Sequence, residues 1–521
     1  MKKKLIFAAA AIAMLASCSQ NDLEAPVVGQ AQQSDAIEFG TYIGSAAGSR
    51  ATAYVGNITD TELQAAGKAN GFGVIAFYTG ETDYPNSGAS APASLAPNSL
   101  KANFMFNQHV TYATDHWTYS PLKYWPNEVA NGAVDTQTPA AAQGSTARGK
   151  VSFFAYAPWM DTFGSTGITK VNGKTTLIGA GGSNDQTGNP TITYKMSEDG
   201  KDVDLLWGTC ADAESYNIVP NTTQSGNYVW KGTTDPDDKG KAKVNVNLTK
   251  QKTAATEGAA EKVSFLFKHS LAKIGGGKKG DSPVSGLTIK LDPDFGTSFG
   301  DQANAQTAVT VKKITIKNDR TETTPPTRDH KRKFEGTLDL ATGFWTLEDT
   351  NQDFEQVINN ATDFVAGNVK LNANIQEQTF NDAASAEYWG TSTGNMLDGT
   401  HKGVTETAQP VYDEDVAPLL YFPGETPSLE VEVEYIVRTK DNSLIAGYSE
   451  ATQKIKKIVT FGKAVEMNKV YNLTIILGLT SVKFEATVAD WETTYDDDDD
   501  PLTPEVSTEE EVNLPLNVTT P

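Results

Sequence analysis

Cysteine is nearly absent from this sequence, with only Cys18 and Cys210 among 521 residues. Disulfide bonds therefore cannot form the framework of the fold, and we expect the packing of apolar side chains to hold it together. Histidine is also scarce, with five residues and none in an HExxH or HxH arrangement. A zinc site has little to build on, so we predict no metal and no cofactor.

Basic residues are outnumbered by acidic ones. The chain has 43 Lys and Arg against 65 Asp and Glu, which gives a formal net charge of −22. Nucleic acids and anionic membrane surfaces bind clustered positive charge, so this balance argues against either as the main partner. Part of the charge is local, because residues 492–521 contain ten acidic residues and no Lys or Arg. We expect this terminal stretch to be solvated when it has no partner.

Residue patterns typical of enzymes are missing as well. The sequence has no CxxC and no GxSxG nucleophile elbow, so a serine or cysteine hydrolase finds no local support. Residues 275–282 superficially match the phosphate loop GxxxxGK[ST], but Asp281 stands where the lysine must be. A carboxylate at that place would repel phosphate, so a turn is favoured. We predict a protein that is not an enzyme.

One apolar run stands out, from Leu5 to Ala16. It follows three lysines and is too short to span a bilayer, which needs roughly 20 residues, so residues 1–17 are typical of a signal peptide. The end of this run, Leu15-Ala16-Ser17-Cys18, resembles the lipobox of bacterial lipoproteins, in which Cys18 becomes the lipidated N-terminus. An ordinary secretory cleavage site is the alternative.

Most of the chain alternates apolar and polar side chains between clusters of Gly, Asn, Asp and Pro. This period of two residues is typical of half-buried strands and predicts a mainly β fold with few short helices. We expect helices only at Thr59–Ala69 and Asp353–Ile358.

The length of the chain exceeds the usual size of one hydrophobic core, which predicts two domains. A polar, Gly- and Lys-rich stretch at residues 235–261 separates two strand-dense regions and is the preferred boundary. The predicted division is a propeptide at 18–50, domains at 51–255 and 256–492, and an acidic linker with a terminal strand at 493–521.

Aromatic motifs follow one another in a characteristic order. They are Lys123-Tyr124-Trp125-Pro126, Phe153-Phe154-Ala155-Tyr156-Ala157-Pro158, Asp204-Leu205-Leu206-Trp207, the segment 267–273, and the segment 468–473 that leads to Trp491. From the residues alone, these are core strands with edge tyrosines, or else a platform on which carbohydrate stacks. In this order they resemble the fimbrillin family, the pilus subunits of Bacteroidia whose assemblies are called type V pili. The resemblance implies two β-sandwich domains with transthyretin-like (Greek-key) topology.

The resemblance also implies how the protein is processed. Fimbrillins are exported as outer-membrane lipoproteins, an arginine-specific protease removes the N-terminal segment with its first strand, and subunits then polymerise by strand exchange. In this sequence Cys18 would carry the lipid and Arg50-Ala51 would be the scissile bond, within a run of small residues that proteases can enter. Cleavage would remove Ile37 and Phe39 and expose a groove that a strand of another subunit can fill. An incidental loop arginine is the alternative.

The C-terminus has the form of a donor strand. Val512, Leu514, Leu516 and Val518 alternate with polar residues or proline, which places four apolar side chains on one face. Pro515 lies on the opposite face and lacks an N–H, so an inserted strand must tolerate one missing donor. A terminal strand that folds back on its own domain is the alternative.

The sequence therefore predicts a structural pilin that polymerises with copies of itself and with related pilins into a cell-surface fimbrium that supports adhesion. Thirty residues follow Trp491, which favours a shaft subunit, because tip subunits of this family tend to end near the last core strand. A tip or anchor subunit stays open. So does a monomeric surface lipoprotein that binds glycans through aromatics such as Trp159 or Trp230.

Overall fold

The computed structural model of this protein describes the following residues: 36–43, 58, 60–66, 69–80, 102–125, 150–161, 163, 166–174, 188–197, 202–210, 218–220, 228–230, 248–250, 262–275, 286–293, 307–321, 323–360, 368–376, 403–412, 419–441, 443–445, 448–478, 481–490, 512–513 and 515–519. Strands dominate this part of the chain, so the predicted mainly β fold is confirmed. Across the same residues we find no helix with the length and apolar character needed to cross a bilayer.

The secondary structure comprises one short helix and 29 strands in the described residues. In chain order they are β1 (Glu38–Ile43), α1 (Asp60–Gln64), β2 (Phe72–Gly80), β3 (Met105–Ala113), β4 (His116–Thr118), β5 (Lys150–Ala157), β6 (Gly167–Val171), β7 (Thr191–Lys195), β8 (Leu206–Cys210), β9 (Ile218–Pro220), β10 (Tyr228–Trp230), β11 (Leu248–Lys250), β12 (Lys262–His269), β13 (Ala272–Ile274), β14 (Leu287–Leu291), β15 (Thr307–Asn318), β16 (Arg332–Lys333), β17 (Glu335–Asp339), β18 (Trp345–Leu347), β19 (Asn351–Gln352), β20 (Glu355–Asn359), β21 (Asn368–Lys370), β22 (Gln409–Pro410), β23 (Leu419–Tyr421), β24 (Ser428–Lys440), β25 (Tyr448–Phe461), β26 (Lys469–Leu477), β27 (Val482–Asp490), β28 (Val512–Asn513) and β29 (Leu516–Thr519).

The first large sheet has eight strands in the order β1-β12-β8-β5-β2-β3-β4, with β11 also paired to β5. Its central strands are buried on both faces, which explains why the predicted strand at 151–156 is an almost unbroken apolar run. Phe153 and Ala155 enter the core on one face, while Phe154 and Tyr156 enter the core on the other. A four-stranded sheet, in the order β18-β17-β7-β6, contributes to that second core.

The second large unit is a sandwich of two sheets around one core. One sheet has the order β22-β14-β26-β13-β23, with β27 paired to β26 and β28 to β27; the other has the order β21-β20-β15-β24-β25-β29. Strand β24 shows the period of two clearly: Leu429, Val431 and Val433 are buried in the core. The intervening glutamates pair with lysines of the flanking strands, for example Glu432 with Lys454 at 3.0 Å.

The sheets do not divide at residue 255, where the sequence analysis places the domain boundary. Strand β12, which follows that boundary, pairs with β8 and β1 in the first sheet. Strand β17 pairs with β7, about 140 residues earlier in the chain. Pairing over such distances leaves no local mark in a single sequence, whereas the polar stretch at 235–261 does.

Of the two predicted helices, one is present in part and the other is a strand. Helix α1 occupies Asp60–Gln64, a part of the predicted span, and the chain then turns through Asn70 and Gly71 with φ angles of 53° and 84°. The predicted helix at Asp353–Ile358 is wrong, because this segment enters β20 and pairs with β15. Phe354, Gln356 and Ile358 are buried on one side, which is the period of a strand.

Candidate functional sites

The first sheet curls, and β1 lies where the two ends of the sheet meet. On one edge β1 pairs in parallel with β12, with Phe39 opposite Val263. Strand β4, at the far edge of the same sheet, lies against β1. The segment that follows β4, residues 119–125, bonds to the residues just before β1: the Ile37 N–H donates to the Lys123 carbonyl at 2.9 Å, and Ala36 forms a bridge with Tyr124. This stretch of chain therefore has partners on both of its edges.

Ile37 and Phe39, the predicted residues of the removable first strand, point into the core of the first sheet. Their exposed fractions are 1% and 3%. Aromatic rings surround Phe39 at centroid distances of 5.3 to 6.1 Å; these belong to Tyr119, Phe153, Phe265 and Phe72. We call the space between β12, the 119–125 segment and these rings the first-strand slot. Its apolar depth makes any strand that fills it strongly held.

Tyr119 contacts both the main chain and a side chain of the first-strand segment. The buried phenol donates a hydrogen bond to the Ile37 carbonyl at 2.9 Å and accepts one from the Lys123 N–H at 3.3 Å. Burial raises the pKa of this phenol, and its hydrogen bond with the Lys123 backbone opposes the shift, so it stays protonated and able to donate near neutral pH. Tyr119 is not among the predicted site residues; it lies just before the aromatic motif that begins at Lys123, which is the nearest signal in the sequence.

The C-terminal tail, residues 512–519, folds back on its own chain, which is the alternative that the sequence left open. Strand β28 pairs antiparallel with β27, with Val512 opposite Val488. Strand β29 pairs antiparallel with β25, with Val518 opposite Val459. These partners belong to different sheets of the second sandwich, so the tail passes from one sheet to the other at Pro515.

The tail is held closely at one point and loosely elsewhere. The Gly462 N–H donates to the Pro515 carbonyl at 2.8 Å, and a Cβ at position 462 would lie 2.7 Å from that oxygen. Leu516 and Val518 pack against the core of the second sandwich but stay half-buried.

Several predicted site residues lie outside the described part of the chain. They are the lipidation site Cys18, the cleavage residues Arg50 and Ala51, and Leu514 of the terminal strand. Lipidation and cleavage remain predictions from the sequence.

Two buried contacts between a basic side chain and an Asp carboxylate were not predicted. The Arg332 guanidinium donates to the Asp202 carboxylate at 2.6 Å and to the Leu420 carbonyl at 2.9 Å. His269 Nδ1 lies 2.8 Å from Asp204, whose carboxylate also accepts from the Ile58 N–H at 2.8 Å. All four side chains are closed to solvent, so they fasten segments together and do not face a substrate.

Neither a metal site nor a site where aromatic residues could bind glycans is supported by the described residues. These residues contain no group of His, Cys, Asp and Glu arranged to hold a metal ion. Trp159, one of the aromatics considered for glycan binding, stacks on His109 with a centroid distance of 3.6 Å and donates its indole N–H to the Asn107 carbonyl at 3.3 Å. One face of this ring is therefore already covered.

Comparison with known proteins gives a local but informative match. No family model matches the chain. Among solved structures, a fimbrial protein from Bacteroides vulgatus ATCC 8482 is similar over 88% of this chain and 99% of its own, at 18% identity and a TM-score of 0.49. The fimbrium subunit Fim1C of Phocaeicola vulgatus is 32% identical over 143 residues, which are 27% of this chain and 28% of that protein. This match to a fimbrium subunit confirms the resemblance to the fimbrillin family of Bacteroidia that was drawn from the ordered motifs.

Proposed function

We propose that this protein is a structural pilin, which polymerises with other copies of itself into a cell-surface pilus that supports adhesion. The observation that carries the proposal is the first-strand slot. The chain segment in it comes from the N-terminus, and the stretch that joins it to the rest of the protein contains Arg50. A single cut would leave β1 held by noncovalent contacts alone.

Loss of the first strand would create an acceptor for another strand. The pockets of Ile37 and Phe39 would empty, at a cost of roughly 1.5–3 kcal/mol for each large apolar side chain. The edge of β12 would also lose the partners of its N–H and C=O groups. A strand with the same face restores both sets of contacts by β-augmentation.

The C-terminal tail has the matching form. Alternation places residues 37, 39 and 41 of the first strand on one face, as Ile, Phe and Thr. Residues 512, 514, 516 and 518 place Val, Leu, Leu and Val on one face of the tail. In its own subunit the tail leaves Leu516 and Val518 half-buried. Transfer of these two side chains to the positions of Ile37 and Phe39 in another copy would bury them more deeply, which would give the exchange its direction.

The N-terminal segment would hold the precursor at the outer membrane. Cys18 would carry the lipid, and several acyl chains hold a protein firmly where a single chain binds only marginally. Arginine-specific cleavage after Arg50 would release the subunit from this anchor and empty the slot in one step. We assign the subunit to the shaft, because the tail supplies a donor strand.

The proposal is tested with the full-length precursor digested by an arginine-specific protease. We expect a ladder of multimers that resists mild detergent, absent both from a variant lacking residues 507–521 and from Arg50→Lys, which keeps the charge but removes the cleavage site. N-terminal sequencing of the digested protein should start at Ala51. An unchanged ladder without residues 507–521 would exclude the tail as donor.

A further inference from the structure

We propose that the 119–125 segment is a second binding edge for the incoming strand, and that Tyr119 is the positioning residue that fixes the register of that strand. This inference rests on the proposed strand exchange. It concerns the edge of the slot that lies opposite β12.

The geometry at Ile37 defines what this edge recognises. Both main-chain groups of Ile37 are bound by the segment: its N–H donates to the Lys123 carbonyl, and its carbonyl accepts from Tyr119, each at 2.9 Å. The residues that follow, from Glu38 onward, pair with β12. The 119–125 segment therefore grips a single residue of an extended chain, whose N–H and C=O point the same way.

Tyr119 also contacts the side chain of Phe39, two residues after Ile37. Its ring lies 5.3 Å from the ring of Phe39 at an angle of 59°. One side chain thus binds the backbone at position 37 and packs against the apolar group at position 39. Only registers that place an apolar residue with an N–H at position 37 and another apolar residue at position 39 satisfy both contacts, and in this sense Tyr119 fixes the register.

The Tyr119 hydroxyl has a second hydrogen-bond acceptor, which it can use when the slot is empty. The Lys123 carbonyl lies 3.2 Å from the Tyr119 hydroxyl, and a phenol carries one hydrogen that can rotate between acceptors. When the first strand leaves, this hydrogen can turn to Lys123 and no buried donor is left unsatisfied. The edge can therefore keep its shape until the next strand arrives.

The sequence of the tail meets the requirement of this edge. The residue at position 37 must offer an N–H to Lys123, and Pro515 cannot do so. In the tail, proline occupies one of the positions that alternate with the apolar ones. Val512, Leu514 and Leu516 each offer an N–H and are each followed two positions later by another apolar residue.

The test compares full-chain Tyr119→Phe with Tyr112→Phe as the matched control, since Tyr112 lies nearby on β3 and its ring packs 5.1 Å from Trp117. After arginine-specific digestion, we expect tail strands to leave Tyr119→Phe multimers about threefold to tenfold faster than wild-type multimers, the equivalent of one lost hydrogen bond. Tyr112→Phe multimers should dissociate at the wild-type rate.

Amide hydrogen exchange in the assembled multimers separates positioning from a general structural role. For Tyr119→Phe we expect faster exchange confined to residues 512–518 of the donor and to the 119–125 segment. Equal dissociation rates for the two variants, or faster exchange spread over β12 and β2 as well, would overturn the inference. A wild-type protein that forms no multimers would instead refute the proposed function.

Discussion

The structure holds the first strand and the C-terminal strand of this protein very differently. The first strand and the residues just before it have partners on both edges, and the side chains of Ile37 and Phe39 are almost completely buried. Strand β29 of the tail pairs along one edge, with β25, and its inward side chains are half-buried. The proposed exchange would need one strand that stays bound until the chain is cut and another that can leave without a cut. The difference in burial between the two strands fits both requirements.

The largest effect on stability is expected when the buried ring of Phe39 is removed from the first strand. Phe39→Ala should lower the free energy of unfolding of the uncleaved protein by about 3–5 kcal/mol, because it empties a pocket lined by four aromatic rings. Thr41→Ala, on the same strand but half-buried, serves as the control and should cost about 1 kcal/mol. Denaturant titration measures both values. A loss below about 1 kcal/mol for Phe39→Ala would show that the slot is not tightly filled.

A smaller effect is expected in the tail. Leu516→Ala should cost about 1–2 kcal/mol in the same titration, since the side chain is only partly removed from water. Asn517→Ala, which alters an exposed neighbour, should leave the unfolding free energy nearly unchanged. If Leu516→Ala proved as costly as Phe39→Ala, the contrast between the two strands would be broken.

The smallest effect on stability is expected at Gly462, where the added methyl group of Gly462→Ala collides with Pro515. We expect a loss of about 1 kcal/mol, together with faster amide exchange at residues 512–519 in the uncleaved protein. Digested Gly462→Ala should also polymerise sooner, because the tail is already free. Lys463→Ala, at the exposed next residue, is the control. Unchanged exchange in the tail would show that the contact with Pro515 does not hold it.

The strands themselves were largely predictable from the sequence. The alternation of apolar and polar residues predicted a mainly β fold, and it is visible at residues 429–437 and 482–488, which lie in β24 and β27. The terminal strand was also predicted, but the structure divides it into β28 and β29 around Pro515. Proline removes a ladder hydrogen bond and favours such a break.

The candidate site was predictable only in part. Ile37 and Phe39 could be named because they form an apolar alternation before Arg50. The other side of the slot could not, since Tyr119 is 82 residues away from Ile37 in the chain. The sequence also could not show whether the tail pairs with its own subunit or stays unpaired. That depends on the closeness of Gly462 to Pro515, which is equally a matter of tertiary structure.

The partial cover that β29 gives to β25 has a consequence for solubility. The tail pairs with residues 458–461 of this long strand, which read Ile-Val-Thr-Phe. The preceding part of β25 extends beyond the tail and carries Lys454, Lys456 and Lys457. Lysines on an edge oppose pairing between the sheets of separate molecules. The tail thus shields the apolar portion of this edge and the lysines protect the remainder, which opposes edge-to-edge aggregation of separate molecules.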